Sequence, residues 1–146
     1  ATSIYNIILG GSANSKMFQN VREKASLAYT AGSIYLRIKD NIFIKCGIDI
    51  PNYEKALKLI KEQLEQMKQG DFNEDDIKNA KLLISSTVGS IPETQDSELT
   101  YYFSQELSDE FVSIEDYIAK INSVTKEQIL NIANNVQINT IYFLRD

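Results

Sequence analysis

The stretch VREKASLAYTAGSIY, Val21 to Tyr35, opens as a charged helix and ends as an alternating strand. Arg22 lies seven residues before Tyr29, across the point where the period falls to two. Beyond that point Ile34, Leu36 and Ile38 share one face, and Tyr29, Ser33, Tyr35 and Arg37 the other. KDN (Lys39 to Asn41) has the composition of a tight turn. After it, Ile42, Ile44, Cys46 and Ile48 alternate with Phe43, Lys45, Gly47 and Asp49. Two such runs around a short polar turn predict an antiparallel hairpin. The apolar stripes are expected to form one face, with Ile34, Leu36, Ile44 and Ile48 buried against helices. Tyr29 is then exposed on the opposite face, provided no bulge intervenes.

Outward from the hairpin the pattern is helical. ATSIYNIILGG reads as an apolar helix stopped at Gly10-Gly11, cut into from a longer protein whose preceding part is absent. SANSKMFQNVREKA spaces Met17, Phe18, Val21 and Ala25 for a helix capped by Ser12 or Ser15. Past Pro51, Asn52 can cap a helix carrying Tyr53, Ala56, Leu57, Ile60, Leu64 and Met67, ended by Gly70. NEDD sets Asn73 as the cap of the next helix, with Ile77, Ala80, Ile84 and Val88 as its stripe, broken at GSIPE (Gly89 to Glu93). A further helix runs through Leu99, Tyr102, Phe103 and Leu107. Capping boxes follow at Ser113/Asp116 and Thr125/Gln128, the second opening a helix with Ile129, Ile132, Ala133 and Val136. INTIYFL (Ile138 to Leu144) is expected to close the chain as a strand. The sum is α+β: a largely antiparallel sheet with helices packed on one face. So few strands for so much helix imply that others precede the first residue.

Composition narrows the chemistry. The 146 residues carry a formal net charge of −5, with 43% hydrophobic and 24% charged residues, ordinary for a globular protein. A pI of about 4.8 leaves no basic stripe for nucleic acid. No apolar run approaches the roughly 20 residues of a membrane span. Cys46 is the sole cysteine and there is no histidine. No intrachain disulfide, no Ser/His or Cys/His catalytic pair and no ordinary zinc site can therefore be built from this chain. A lone cysteine fits a reducing compartment, and the expected setting is cytoplasmic.

Several clusters have plain structural explanations. Glu74, Asp75 and Asp76 stand where a helix start favours negative charge. Asp96 to Glu98 enters a helix, and Glu62 and Glu65 sit among Lys58, Lys61 and Lys68 on a solvated face. LGGSANS lacks the lysine spacing of a phosphate loop and reads as a reversal that lets backbone come close. From spacing alone, Arg22 pairs with an acid such as Glu23, and Tyr29 covers the sheet.

A resemblance changes the weight of that pair. Gly10-Gly11-Ser12, Lys16-Met17-Phe18, Arg22-Glu23-Lys24 and Leu27-Ala28-Tyr29, in that order, resemble the pitrilysin/insulinase zinc metallopeptidases, the inverzincins. The hairpin, the run from Gly47 to Lys81 and SVTKEQILNIANN continue the resemblance over nearly the whole chain. Lys16, Met17 and Ala25-Ser26 depart from the residues usual there, the last replacing a segment that often has glycine. The family's zinc motif, H-x-x-E-H, is absent.

The resemblance implies one domain over residues 1–146, the C-terminal, substrate-binding and zinc-free part of such an enzyme, lacking its N-terminal strands. It implies no catalytic residue, metal or cofactor in this chain. Zinc is expected in the N-terminal half of the parent or in a partner chain. The expected partners are peptide substrate and that zinc-bearing half or subunit, with no nucleic acid and no membrane. Arg22 and Tyr29 are implied to contact bound peptide and to stabilise charge on the scissile carbonyl, since both are hydrogen-bond donors. Two alternatives stand beside this: a non-catalytic partner subunit that completes a separate zinc chain, and a structural relative that lost catalysis.

Overall fold

Gly10 is where the N-terminal helix meets the sheet. A computed structural model describes residues 1–106 and 111–145. Helix α1 (Thr2–Asn6) widens into a π-helical turn, Ile7–Gly11. It buries Ile4, Tyr5, Ile8 and Leu9 at the centre of the core. A Cβ on Gly10 would stand 2.5 Å from both the backbone nitrogen and the Oγ of Ser33, so only glycine lets the helix end lie on the strand. Ser33 Oγ donates to Asn6 Oδ1 at 2.8 Å, a buried polar clip between the two elements.

A second helical segment, Met17–Lys24, is π-helical and buries Met17 and Val21. Its start is held by Ser15, whose Oγ accepts from the Phe18 N–H. Then come β1 (Ala28–Leu36) and β2 (Asn41–Ile48), paired antiparallel. Five α-helices follow among the described residues: α2 (Tyr53–Lys68), α3 (Glu74–Gly89), α4 (Gln95–Glu106), α5 (Ile114–Ser123) and α6 (Lys126–Asn135). Leu64 and Met67 of α2, Ile77, Ala80 and Ile84 of α3, and Ile129 and Ala133 of α6 close the core around α1. The fold is α+β, with helices on one face of an antiparallel sheet.

The register of the hairpin corrects the expected burial. A loop through Arg37–Lys39 and Asp40, the latter at φ +45°, pairs Leu36 with Asn41 and Ile34 with Phe43. The turn expected at Lys39–Asn41 would have matched the two apolar stripes. The observed register is offset by an odd number of residues, which sends them to opposite faces. Ala31, Ser33 and Tyr35 therefore face the helices together with Ile42, Ile44 and Cys46. Ile34 and Leu36, expected to be buried, are 59% and 43% exposed. Ile44 and Ile48 are half-buried.

Other expectations divide. Asn73 and Asp76 form a full capping box, both bonds at 2.9 Å, as do Thr125 and Gln128. At Ser113 only the first half is present, a 3.0 Å bond from the Asp116 N–H. Asn52 precedes α2 without a side-chain cap. Leu107 lies outside the described residues. The closing strand does not form: Ile138 to Leu144 joins no strand ladder among the described residues. Instead the Phe143 ring stacks on Tyr53, at the start of α2, with centroids 4.1 Å apart. Strand propensity without a partner strand leaves the backbone no ladder to join.

Candidate functional site

The site lies where the Met17–Lys24 helix hands over to β1. The Leu27 N–H donates to the Val21 carbonyl and the Ser26 N–H to the Arg22 carbonyl, at 3.3 and 3.1 Å. Ser26 is left-handed at φ +51°. The Ser26 bond is that of an αL helix ending, with serine at the position glycine usually fills, and the Leu27 bond spans one residue more than the Schellman pattern. The turn reverses the chain within one residue and starts β1 directly beneath the helix.

A bulge follows at once. Ala28 pairs with Ile48 and Thr30 with Gly47, which leaves Tyr29 as the extra residue. Simple alternation would have put Tyr29 on the same face as Ser33, under the helices. The bulge instead turns it outward. Its side chain is 69% exposed, and its hydroxyl donates to Asp49 Oδ1 at 2.7 Å. That bond, and then the charge of Asp49, raise the Tyr29 phenol above its ordinary range.

Arg22 sits on the last turn of its helix, its side chain 40% exposed. Its guanidinium lies 4.5 Å from the centroid of the Phe18 ring and 3.7 Å from Glu23 Oε1. The expected pairing with Glu23 is thus present, loosely. No hydrogen bond joins Arg22 to Tyr29. The structure brings them to one junction but gives each its own partner.

What this arrangement can do is offer hydrogen bonds. The exposed guanidinium has five N–H donors, of which a distant carboxylate engages few. The Tyr29 proton is engaged by Asp49, so the phenol can meet an incoming oxyanion as a donor only by leaving that carboxylate. Asp49 was missed in the sequence reading. Its signal was its position: the residue just past β2 sits opposite the start of β1 in any hairpin.

The remaining candidates are structural. Cys46 is half-buried on the helix-facing side of β2, and burial pushes its thiol up, away from nucleophilic use. Glu74, Asp75 and Asp76 occupy the first turn of α3. Glu62 and Glu65 pair with Lys58 and Lys68 across the solvent side of α2, along a shallow groove that neither Arg22 nor Tyr29 lines. Among the described residues no group of three or more acidic or cysteine side chains is placed to hold a metal ion, and the chain has no histidine. These residues do not fit a zinc ion. No helix among the described residues is long and apolar enough to cross a membrane.

Known proteins resemble this chain in sequence and fold. Residues 1–84 match the family model described as the peptidase M16 inactive domain. "Probable inactive metalloprotease YmfF" of Bacillus subtilis strain 168 is 39% identical over 145 residues, 99% of this chain and 34% of that protein. "Uncharacterized zinc protease SCO5738" of Streptomyces coelicolor is 30% identical over 139 residues, 93% of this chain and 30% of that protein. A solved conserved protein from Enterococcus faecalis V583 superposes with a TM-score of 0.85 at 31% identity, over 91% of this chain and 32% of its own. The peptidase M16 inactive domain from Pseudomonas fluorescens has the same fold, with a TM-score of 0.79 at 20% identity, over 93% of this chain and 33% of its own. The chain spans about a third of the length of the curated relatives it matches. With that match over more than half its length, the chain belongs to the pitrilysin/insulinase metallopeptidases, peptidase family M16, and corresponds to their inactive domain.

Proposed function

We propose that this chain is the substrate-binding, zinc-free part of a zinc metalloendopeptidase that hydrolyses peptides in an enclosed chamber. In this reading Arg22 and Tyr29 contact the bound peptide and stabilise charge developing on the scissile carbonyl. The zinc ion is supplied by the N-terminal half of the parent or by a partner chain, and the setting is cytoplasmic, in keeping with a lone cysteine. The observation that carries the reading is Tyr29, turned by a bulge onto the face that the helices leave open. The partly exposed Arg22 guanidinium at the same junction supports it. A donor such as the Arg22 guanidinium is worth about 10²–10³ in turnover, and Tyr29 adds to it once its proton has left Asp49.

The test is cleavage of a quenched fluorescent peptide by the full-length protein, with Arg22→Ala and Tyr29→Ala alongside. Chelator-sensitive cleavage that collapses in both folded variants supports the reading. Variants that cleave like the unaltered protein refute it.

The name of YmfF favours a second reading, a zinc-free subunit that completes the active site of a separate zinc chain. It predicts no cleavage by the protein alone and cleavage once the zinc chain is added, still dependent on Arg22 and Tyr29.

A further inference from the structure

Tyr29 gains its place from a residue that no motif singled out. An exposed tyrosine on a bulge has little packing to hold its ring, and each freely rotating side chain loses entropy when a ligand fixes it. Here the phenol is already held, by a charge-assisted bond of 2.7 Å to Asp49 Oδ1. Asp49 is itself fixed from both sides. The residue before it, Ile48, is in register with Ala28. Its own carbonyl accepts from the Asn52 N–H at 2.9 Å, closing a short helical turn that includes Pro51. The rigid end of β2 thereby sets where the bulged tyrosine stands.

We infer that Asp49 is the positioning residue for Tyr29 in peptide binding: its carboxylate holds the phenol proton and pins the side chain on the helix-free face, where the ring and the oxygen lone pairs meet peptide, and the phenol leaves it only to donate to the developing oxyanion. The inference rests on the substrate-binding reading of Tyr29. It assigns Asp49 no contact with reacting atoms. Its role is to spare the ordering of the phenol when peptide arrives, so its loss is felt only through Tyr29.

The experiment is a double-mutant cycle on the full-length protein, read by fluorescence anisotropy with a fluorescein-labelled unstructured peptide. The same proteins are titrated by NMR with ¹³Cζ-labelled tyrosine, the Tyr29 signal being assigned by its loss in Tyr29→Phe. Asp49→Ala is expected to weaken peptide binding about tenfold, the scale of one hydrogen bond. It also brings the phenol back down toward its ordinary range. Asp49→Asn keeps an acceptor oxygen and recovers most of the affinity. In the Tyr29→Phe background Asp49→Ala changes nothing further. The inference is overturned if Asp49→Ala binds peptide like the unaltered protein, or if its full effect persists without the Tyr29 hydroxyl. Should Tyr29→Phe itself bind peptide normally, the substrate role of Tyr29 fails and this inference with it. The NMR titration then still reports whether the pair forms, which separates the two failures.

Discussion

The Ser26 N–H donates to the Arg22 carbonyl at 3.1 Å, so the turn that ends the Arg22 helix is the one that launches Tyr29. One residue, Ser26, takes the left-handed conformation that this closure needs, at φ +51°. An L-residue with a Cβ is strained there, whereas glycine is not.

Ser26→Gly is therefore expected to stabilise the protein by about 1 kcal/mol, the cost of one left-handed non-glycine residue. Its exposed hydroxyl makes only a 3.4 Å bond to the Glu23 carbonyl, which adds little. Urea unfolding of both proteins checks this through the midpoint at unchanged slope. A lower midpoint would mean that the serine, despite its backbone, holds the turn.

Gly10→Ala is expected to cost about 2–3 kcal/mol, because the new methyl meets Ser33 and Gly32 backbone that cannot step aside. The contacts would be 2.5 Å to the Ser33 nitrogen and 2.9 Å to the Gly32 carbonyl carbon. Gly89→Ala is the control: nothing lies within 4 Å of its Cβ position. At the end of α3 that change is expected to be neutral or to stabilise by up to about 1 kcal/mol. Equal effects at the two glycines would refute the close helix–strand crossing.

Tyr5 gives the pH dependence. Its ring is fully buried and its hydroxyl has no hydrogen-bond partner among the described residues. Burial pushes its phenol up from 10.0 to about 12. The folded state thus holds this proton more tightly than the unfolded chain does. The resulting stabilisation is complete below about pH 10 and is lost as pH rises toward 12. Roughly 2–3 kcal/mol is at stake. Tyr5→Phe should reduce the loss of stability over that alkaline window, to which the raised Tyr29 and Cys46 also contribute. At neutral pH it should be neutral or stabilising by about 1 kcal/mol, since an unpaired buried hydroxyl is removed. Denaturant melts across the pH range decide it, and an unchanged alkaline profile in Tyr5→Phe would contradict the assignment.

Much of this was legible in the residues. The helix start at Asn73 was written in its cap residue, that at Thr125 in its capping box, and the core stripe of α3 in its spacing. Family-type motifs pointed to the Arg22–Tyr29 junction. What was not legible was how strands pair. Periodicity fixes which residues alternate but not how two strands align, and the loop through Arg37–Asp40 shifted the register by an odd step. The same shift exposed Ile34 and Leu36. Tyr29 reached the open face as expected, though through a bulge rather than simple alternation. Ile138 to Leu144 has strand composition but no partner strand among the described residues, and a strand exists only in a pair. Asp49 carries no motif at all; only the hairpin geometry puts it beside the phenol.

The central claim is that peptide lies on the helix-free face beside Tyr29. The most direct test puts photoreactive benzoylphenylalanine in place of Thr30, an exposed residue next to Tyr29, in the full-length protein, and irradiates it with a labelled peptide. The account predicts crosslinks from this position that unlabelled peptide competes away, and none from the same group at Lys61, on the solvent side of α2. No competed crosslink at position 30, or equal labelling from position 61, would contradict it.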